Sequence, residues 1–118
     1  MRVLIIDDDE DVVFSLQTIL CAKGVEVVGT GTDGSEAVKL YEELQPDILL
    51  MDIQMKPMNG LDAARTIREM KRRDAMRIPI IAMSANAFAE DIINSRLAGM
   101  NVHLAKPLDA EKMIVALK

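Results

Sequence analysis

The sequence predicts a single α/β domain built on a doubly wound parallel sheet of five strands in the order 2-1-3-4-5. Short continuous apolar runs alternate five times with longer segments in which apolar residues recur at helical spacing. This alternation is typical of a parallel sheet that helices cover on both faces. The chain has 118 residues, 50% of them hydrophobic, so we expect residues 1–118 to form one domain with one core.

Five apolar runs rich in Val, Ile, Leu or Met are the predicted strands. In chain order they cover Arg2 to Ile6, Val25 to Gly29, Ile48 to Met51, Ile78 to Met83 and Val102 to Ala105. Because each run is apolar throughout rather than alternating, both of its faces are expected to be buried under helices.

The first two helices are predicted from apolar stripes between these runs. One stripe passes through Val12, Val13, Leu16, Ile19 and Leu20, and the next through Ala37, Val38, Tyr41 and Leu44. Gly24 suits the end of the first helix, and Asp33 with Glu36 suits a capping box at the start of the second. The lone cysteine, Cys21, excludes an internal disulfide and is expected to be buried or half-buried on the first helix.

Three further helices complete the alternation. The third is predicted to begin near Asn59 and Gly60 and to continue through Leu61, Ala64, Ile67 and Met70. The fourth covers Phe88, Ile92 and Ile93, and the fifth holds Met113, Ala116 and Leu117 behind a cap at Asp109. The third and fourth helices each return the chain to the amino edge of the sheet for the next parallel strand.

Charge and hydropathy exclude several classes of function. The formal net charge is -5, with consecutive acids from Asp7 to Asp11, which argues against direct binding of nucleic acid. No apolar run approaches the roughly 18 to 20 residues that a membrane span needs, and the amino terminus lacks a signal-peptide pattern. We therefore expect a cytoplasmic domain without membrane contact.

Polar residues stand where the apolar runs stop. Asp7 and Asp8 follow the first run, Asp52 the third, Ser84 the fourth and Lys106 the fifth. Since parallel strands place all their carboxyl ends on one edge, and strands one and three are neighbours in this order, these side chains should form one pocket.

The chemistry of such a pocket points to a metal ion and a phosphoryl group. Closely spaced carboxylates repel one another, and a hard cation with oxygen ligands, such as Mg²⁺, relieves the repulsion. Aspartate can attack phosphorus to give an aspartyl-phosphate. We assign that role to Asp52, which is alone at its strand end, whereas Asp7 and Asp8 form a pair suited to holding metal. Lys106 would stabilise charge on the phosphoryl oxygens.

The stretches VLIIDDDE, DILLMDIQM followed by MNGLD, IIAMSANA and HLAKPL resemble the receiver domain of bacterial two-component response regulators. The resemblance covers essentially the whole chain and implies a flavodoxin-like (βα)5 fold. It also implies that Asp52 is the phosphoacceptor, that Asp8 is a direct metal ligand and that Asp7 holds metal-bound water. Gln54 matches the position whose backbone carbonyl binds the metal.

The resemblance assigns further roles around the acceptor. Ser84 matches the switch hydroxyl and Lys106 the phosphate-pairing lysine, followed by a cis bond at Pro107. Two departures from the family stand out. His103 occupies a second switch position that usually holds Tyr or Phe, and we expect it to be half-buried with one satisfied nitrogen. Lys56 intervenes where the family usually has Pro.

The implied function is signalling rather than enzymatic turnover of a substrate. A phosphoryl group would pass from phosphohistidine on a histidine kinase, or on a histidine phosphotransfer domain, to Asp52 and then be hydrolysed slowly. Mg²⁺ is the expected cofactor, with Mn²⁺ as a second candidate. Phosphorylation would change the surface of helix 4, strand 5 and helix 5, and dimerisation on phosphorylation is a further expectation. The stretches SANAFAEDI and AGMNVHLAKPL look like receivers of hybrid sensor histidine kinases.

Two other functions stay open at this point. One is a receiver-like interaction module that takes no phosphate, although such a module would be expected to lose part of the constellation. The other is a haloacid-dehalogenase-like phosphohydrolase. That family requires Asp-x-Asp-x-Thr or Val after the first strand, whereas this chain has an acid, Asp11, in place of Thr or Val.

Overall fold

The predicted five-stranded sheet is confirmed by a computed structural model, which describes residues 1–70, 74–84, 89–106 and 115–117. All strands are parallel and lie in the order β2-β1-β3-β4-β5. Their bounds are β1 Arg2–Ile6, β2 Glu26–Gly31, β3 Ile48–Asp52, β4 Ile80–Ser84 and β5 Val102–Ala105. The sheet therefore changes direction of winding between β1 and β3, as predicted.

The strand bounds differ from the predicted ones by one or two residues, at both ends of β2 and β4 and at the carboxyl end of β3. Asp52 is the last residue of β3 and pairs with Met83, and Ser84 is the last residue of β4 and pairs with Ala105. Both polar residues were expected just after their strands. Continued pairing with the neighbouring strand holds them in extended backbone, which sequence pattern alone does not reveal.

Within the described residues, four helices accompany the strands: α1 Glu10–Ala22, α2 Gly34–Leu44, α3 Gly60–Arg68 and α4 Ala89–Leu97. Half of the predicted capping box is confirmed, since the Asp33 side chain accepts a hydrogen bond from the Glu36 amide, whereas the Glu36 side chain accepts from the Thr32 hydroxyl. Asn59 caps α3 in the same way, by accepting from the Asp62 amide. Residues 115–117 are helical, where the fifth helix was predicted, but its expected cap Asp109 lies outside the described residues.

Hydrophobic side chains from the sheet form two clusters, one on each face. The first includes Leu4, Ile6, Leu49, Met51, Tyr41 and Ile67, between the sheet and helices α2 and α3. The second includes Val3, Ile5, Leu50, Leu16 and Leu20, between the sheet and α1. Burial on both faces explains the continuous apolar runs and fixes the strand ends that carry the polar residues.

Two further predictions concern the burial of Cys21 and the absence of a membrane span. Cys21 is exposed, contrary to expectation, because the buried stripe of α1 passes through Leu16 and Leu20 and the next residue is rotated away from the sheet. Among the described residues, no helix has the length and apolar character needed to span a membrane.

Candidate functional site

Three carboxylates meet at the carboxyl edge of the sheet. Asp7, Asp8 and Asp52 each offer an oxygen, and these oxygens lie within 4.8 Å of one another. Asp7 and Asp52 are buried, with 1% and 4% of their surfaces exposed, whereas Asp8 is exposed. These residues therefore lie together, as predicted. Asp8 faces solvent, and Asp7 and Asp52 lie beneath it.

Asp7 is fixed from three directions. Its backbone amide donates to the Gly31 carbonyl at 3.0 Å, which extends the β1–β2 pairing to the strand end. Its Oδ1 accepts the Asp9 amide at 2.9 Å. The other oxygen, Oδ2, lies 2.7 Å from Nζ of Lys106. The side chain is thus already engaged by a cation.

Asp52 is held by its own loop and by the same lysine. The Gln54 amide donates to Asp52 Oδ1 at 3.2 Å, and Lys106 Nζ lies 3.4 Å from Asp52 Oδ2. Lys106 therefore bridges the two buried carboxylates from the far side of the sheet. This bridge matches the predicted position of the lysine next to the acceptor.

The charges of the cluster are not balanced by Lys106 alone. Burial raises the pKa of Asp52 to about 6, and the Asp7 carboxylate adds to this rise, although the Gln54 amide and Lys106 oppose it. Burial lowers the pKa of Lys106, but its contacts with Asp7 and Asp52 outweigh that effect and raise it overall. Three carboxylates around one ammonium group leave an all-oxygen, negative site that fits a hard divalent cation.

Ser84 and His103 form a contact beside this cluster. Ser84 is fully buried, and its Oγ lies 2.8 Å from Nε2 of half-buried His103. The Ser84 carbonyl accepts the Lys106 amide at 2.8 Å. We predicted a half-buried histidine with one satisfied nitrogen, but not its partner. The predicted strand order could have indicated this contact, because Ser84 and His103 lie on the same face of adjacent strands.

A cleft opens from the acidic cluster towards the β3–α3 loop. It has a volume of about 520 Å³ and is lined by Asp8, Ile53, Gln54, Met55, Lys56, Asn59 and Leu61. Lys56 and Gln54 are exposed there, and the Lys56–Pro57 peptide bond is cis. This cis bond was not predicted, and the one that was expected, at Pro107, lies outside the described residues.

The arrangement suits phosphoryl chemistry at Asp52. The cleft gives a substrate access to the edge where the three carboxylates lie. A lysine that is already close to Asp52 could neutralise charge on transferring oxygens, and a buried hydroxyl lies at the end of the next strand. The protein supplies positioning and charge, which is what this reaction requires.

The family model described as the response regulator receiver domain matches residues 3–118. The chain belongs to this family. It is therefore a two-component receiver domain, which is a signalling domain rather than a classical enzyme, and the haloacid-dehalogenase alternative is not supported. Over 116 residues it is 40% identical to the chemotaxis protein CheY of Thermotoga maritima, covering 98% of this chain and 93% of that protein.

Solved receiver structures share its fold. A chain of the CheX–CheY complex with BeF3 and magnesium from Borrelia burgdorferi matches with a TM-score of 0.90 and 28% identity, covering 99% of this chain and 86% of that one. The receiver domain of a sensor histidine kinase from Pseudomonas aeruginosa, with magnesium coordinated in its active-site cleft, matches at 0.87 and 33% identity, covering 98% and 93%.

Receivers occur in proteins of different lengths. This chain spans most of CheY, but only 26% and 48% of two other curated relatives.

Proposed function

We propose that Asp52 accepts a phosphoryl group from phosphohistidine on a histidine kinase or a histidine phosphotransfer domain, in a reaction that requires Mg²⁺. The observation that carries the proposal is the cluster of Asp7, Asp8 and Asp52 with Lys106 bridging its two buried members. A carboxylate oxygen of Asp52 forms the new bond to phosphorus, and the bond from phosphorus to the donor imidazole nitrogen breaks. Slow hydrolysis returns the domain to its starting state.

Mg²⁺ fits the residues present. Asp8 and Asp52 would bind it directly, together with the backbone carbonyl of Gln54, and Asp7 would hold a metal-bound water. The exposed position of Asp8 beside the cleft supports this assignment, as does the magnesium in the Pseudomonas receiver. When bound, the cation neutralises charge on the phosphoryl oxygens. Nothing found in the relatives supports Mn²⁺, so we restrict the proposal to Mg²⁺.

Lys106 and Ser84 have separate roles in this proposal. Lys106 already contacts Asp52 Oδ2 at 3.4 Å, so its ammonium group could pair with an oxygen of the transferred phosphoryl group instead of with the carboxylate. Ser84 lies at the next strand end and can donate its hydroxyl proton to a phosphoryl oxygen. Phosphorylation adds negative charge and strong acceptor oxygens at this edge, and both residues respond to that change.

The output surface would be formed by α4, β5 and the fifth helix. Ile93, Leu97 and Val102 expose apolar side chains there, which would be available to a downstream partner or to a second phosphorylated copy. We place this function in the cytoplasm, without direct contact with nucleic acid or membrane. The competing interaction-module function is less well supported, since the acidic pair, acceptor, hydroxyl and lysine are all present.

Labelling by a small acyl phosphate tests the acceptor assignment. With Mg²⁺, we expect intact-mass measurement to show one added phosphoryl group on the wild type and none on Asp52→Asn. The matched control is Asp47→Asn, which changes an exposed aspartate at the opposite end of the same strand and should label normally.

Two results would count against the proposal. Equal labelling of Asp52→Asn and the wild type would move the acceptor elsewhere. A wild type that takes no label from an acyl phosphate or from a phosphohistidine donor, with Mg²⁺ present, would favour the phosphorylation-independent module.

A further inference from the structure

Lys56 brings a positive charge to the cleft beside the acidic cluster. Its side chain is exposed and lines the cleft together with Asp8 and Gln54. Among the described residues that line this cleft, Lys56 is the one cation and Asp8 the one anion. The two do not form an ion pair, and no other carboxylate of the described residues lies within ion-pair distance of Lys56. Its ammonium group is therefore available to an anion that enters the cleft.

The loop that carries Lys56 is held on both sides of this residue. The Gly60 amide donates to the Ile53 carbonyl at 3.2 Å, which closes the loop at the start of α3. The Gly34 amide donates to the Met58 carbonyl at 2.8 Å, which attaches the loop to the start of α2. The long side chain of Lys56 therefore extends from a backbone that is fixed at the wall of the cleft.

The geometry of phosphoryl transfer decides which part of a phosphodonor lies near Lys56. The attacking oxygen and the leaving group lie roughly in line, on opposite sides of the phosphorus. Asp52 is buried beneath the exposed Asp8, so the leaving group must lie on the solvent side of the phosphoryl group. The exposed side chains of the cleft, including Lys56, lie on that side. The leaving group therefore departs past an ammonium group.

We propose that Lys56 is a specificity-determining residue that favours phosphodonors whose leaving group departs as an anion, such as acyl phosphates, over donors whose leaving group departs uncharged. This inference rests on the proposed function, because it concerns the donors that phosphorylate Asp52. The family usually has Pro where this chain has Lys56, and Pro offers no charge. The preference therefore depends on this departure and not on the shared constellation of carboxylates and lysine.

The two classes of donor differ in the charge that develops on the leaving atom. With acetyl phosphate, an oxygen of Asp52 bonds to phosphorus, the bond from phosphorus to the acyl oxygen breaks, and its electron pair leaves with acetate. The Lys56 ammonium group can stabilise this negative charge as it develops. With phosphoramidate, the nitrogen is already protonated, so the bond from phosphorus to nitrogen breaks to release neutral ammonia. Lys56 then has no developing anion to stabilise.

Labelling rates with the two donors test this preference. At saturating Mg²⁺, we expect Lys56→Gln to slow labelling by acetyl phosphate about threefold, which is typical of an exposed charge pair, and to leave labelling by phosphoramidate unchanged. The ratio of the two rates cancels any effect of the substitution on folding or on Mg²⁺ binding, because both donors use the same site. Lys56→Arg should keep the wild-type ratio, because it keeps the charge.

Two controls separate a local charge effect from a general one. Lys39→Gln removes an exposed lysine of α2 that does not line the cleft, and it should leave both rates unchanged. Inert salt at about 1 M, where the screening length falls to roughly 3 Å, should reduce the difference between the wild type and Lys56→Gln with acetyl phosphate, because the charge is exposed.

The outcomes distinguish this inference from the proposed function. If both donors label the wild type at Asp52 but Lys56→Gln slows them equally, or slows neither, the preference is overturned and the acceptor assignment stands. The same holds if Lys39→Gln changes the ratio of the two rates as much as Lys56→Gln does, because net charge would then account for it. If neither donor labels the wild type in the presence of Mg²⁺, both proposals are overturned.

Discussion

Asp52 shows how a single residue combines two opposing demands. In the proposed reaction it must ionise to attack phosphorus, yet it lies buried beside a second carboxylate, and burial raises its pKa to about 6. The Gln54 amide and Lys106 limit that rise. At neutral pH Asp52 is therefore ionised at a cost to the stability of the fold, and a bound cation would reduce this cost.

The pH dependence of stability tests this cost. Since the folded state holds the Asp52 proton more tightly than the unfolded chain, whose pKa is near 3.8, the wild type should lose stability as pH rises from about 4 to about 6. We expect Asp52→Asn to be more stable than the wild type by about 3 kcal/mol at pH 8, with the difference shrinking towards pH 4.

Urea unfolding at several pH values in the presence of a chelator measures this difference. Asp47→Asn, at the other end of β3, is the control for a general loss of negative charge. A stability difference between Asp52→Asn and the wild type that is constant over the whole range would refute the burial argument.

At the scale of elements, the start of α3 lies close against the end of β3, the strand that carries Asp52. The Gly60 amide donates to the Ile53 carbonyl at 3.2 Å, and a Cβ at Gly60 would collide with the Asp52 carbonyl oxygen. Only glycine permits this approach. At the other end of α3, Arg68 donates to the Gly99 carbonyl at 2.9 and 2.8 Å, which ties the helix to the turn before β5.

Gly60→Ala should therefore disturb both fold and site. We expect a loss of about 1 to 3 kcal/mol in the free energy of unfolding, from overpacking against backbone, together with slower labelling of Asp52. Denaturant unfolding and labelling time courses give the two quantities.

Gly24→Ala provides a matched comparison. Gly24 has a φ of +77°, and a Cβ added there would have no neighbouring atom within 4 Å, so alanine should cost about 1 kcal/mol through backbone strain alone. Its labelling should equal that of the wild type. Equal labelling rates in the two glycine variants would show that the approach of α3 does not set the acceptor geometry.

At the scale of the whole molecule, the acidic edge couples metal binding to folding. The chain carries a net charge of -5, and three of its carboxylates lie together at one end of the sheet. The unfolded chain has no such cluster, because Asp7 and Asp8 follow β1 whereas Asp52 ends β3, far away in sequence. A cation that binds the cluster must therefore stabilise the folded state.

We expect Mg²⁺ at about 100 times its dissociation constant to raise the free energy of unfolding by about 2.7 kcal/mol. Asp8→Ala should remove this increase without lowering stability in chelator, because Asp8 is exposed. Asp11→Ala, an exposed acid in the first turn of α1, should keep it. A full Mg²⁺ effect in Asp8→Ala would assign the metal to other ligands.

Much of this molecule can be predicted from local pattern. Continuous apolar runs predicted all five strands, and a cap such as Asp33 marked a helix start, because burial and capping leave their signal within a few residues. The order 2-1-3-4-5 was predicted as a common order of doubly wound sheets. With that order, the convergence of Asp7, Asp8, Asp52 and Lys106 could be predicted as well.

Only the tertiary structure decided which side chains are exposed and which side chains touch. Register, helix rotation and side-chain direction decided three features. These are the exposure of Cys21, the bridging of two buried carboxylates by Lys106, and the hydrogen bond between Ser84 and His103. These are settled by packing among residues that are distant in sequence. The sequence by itself determined which chemical groups meet at the edge of the sheet, whereas packing decided which of them touch.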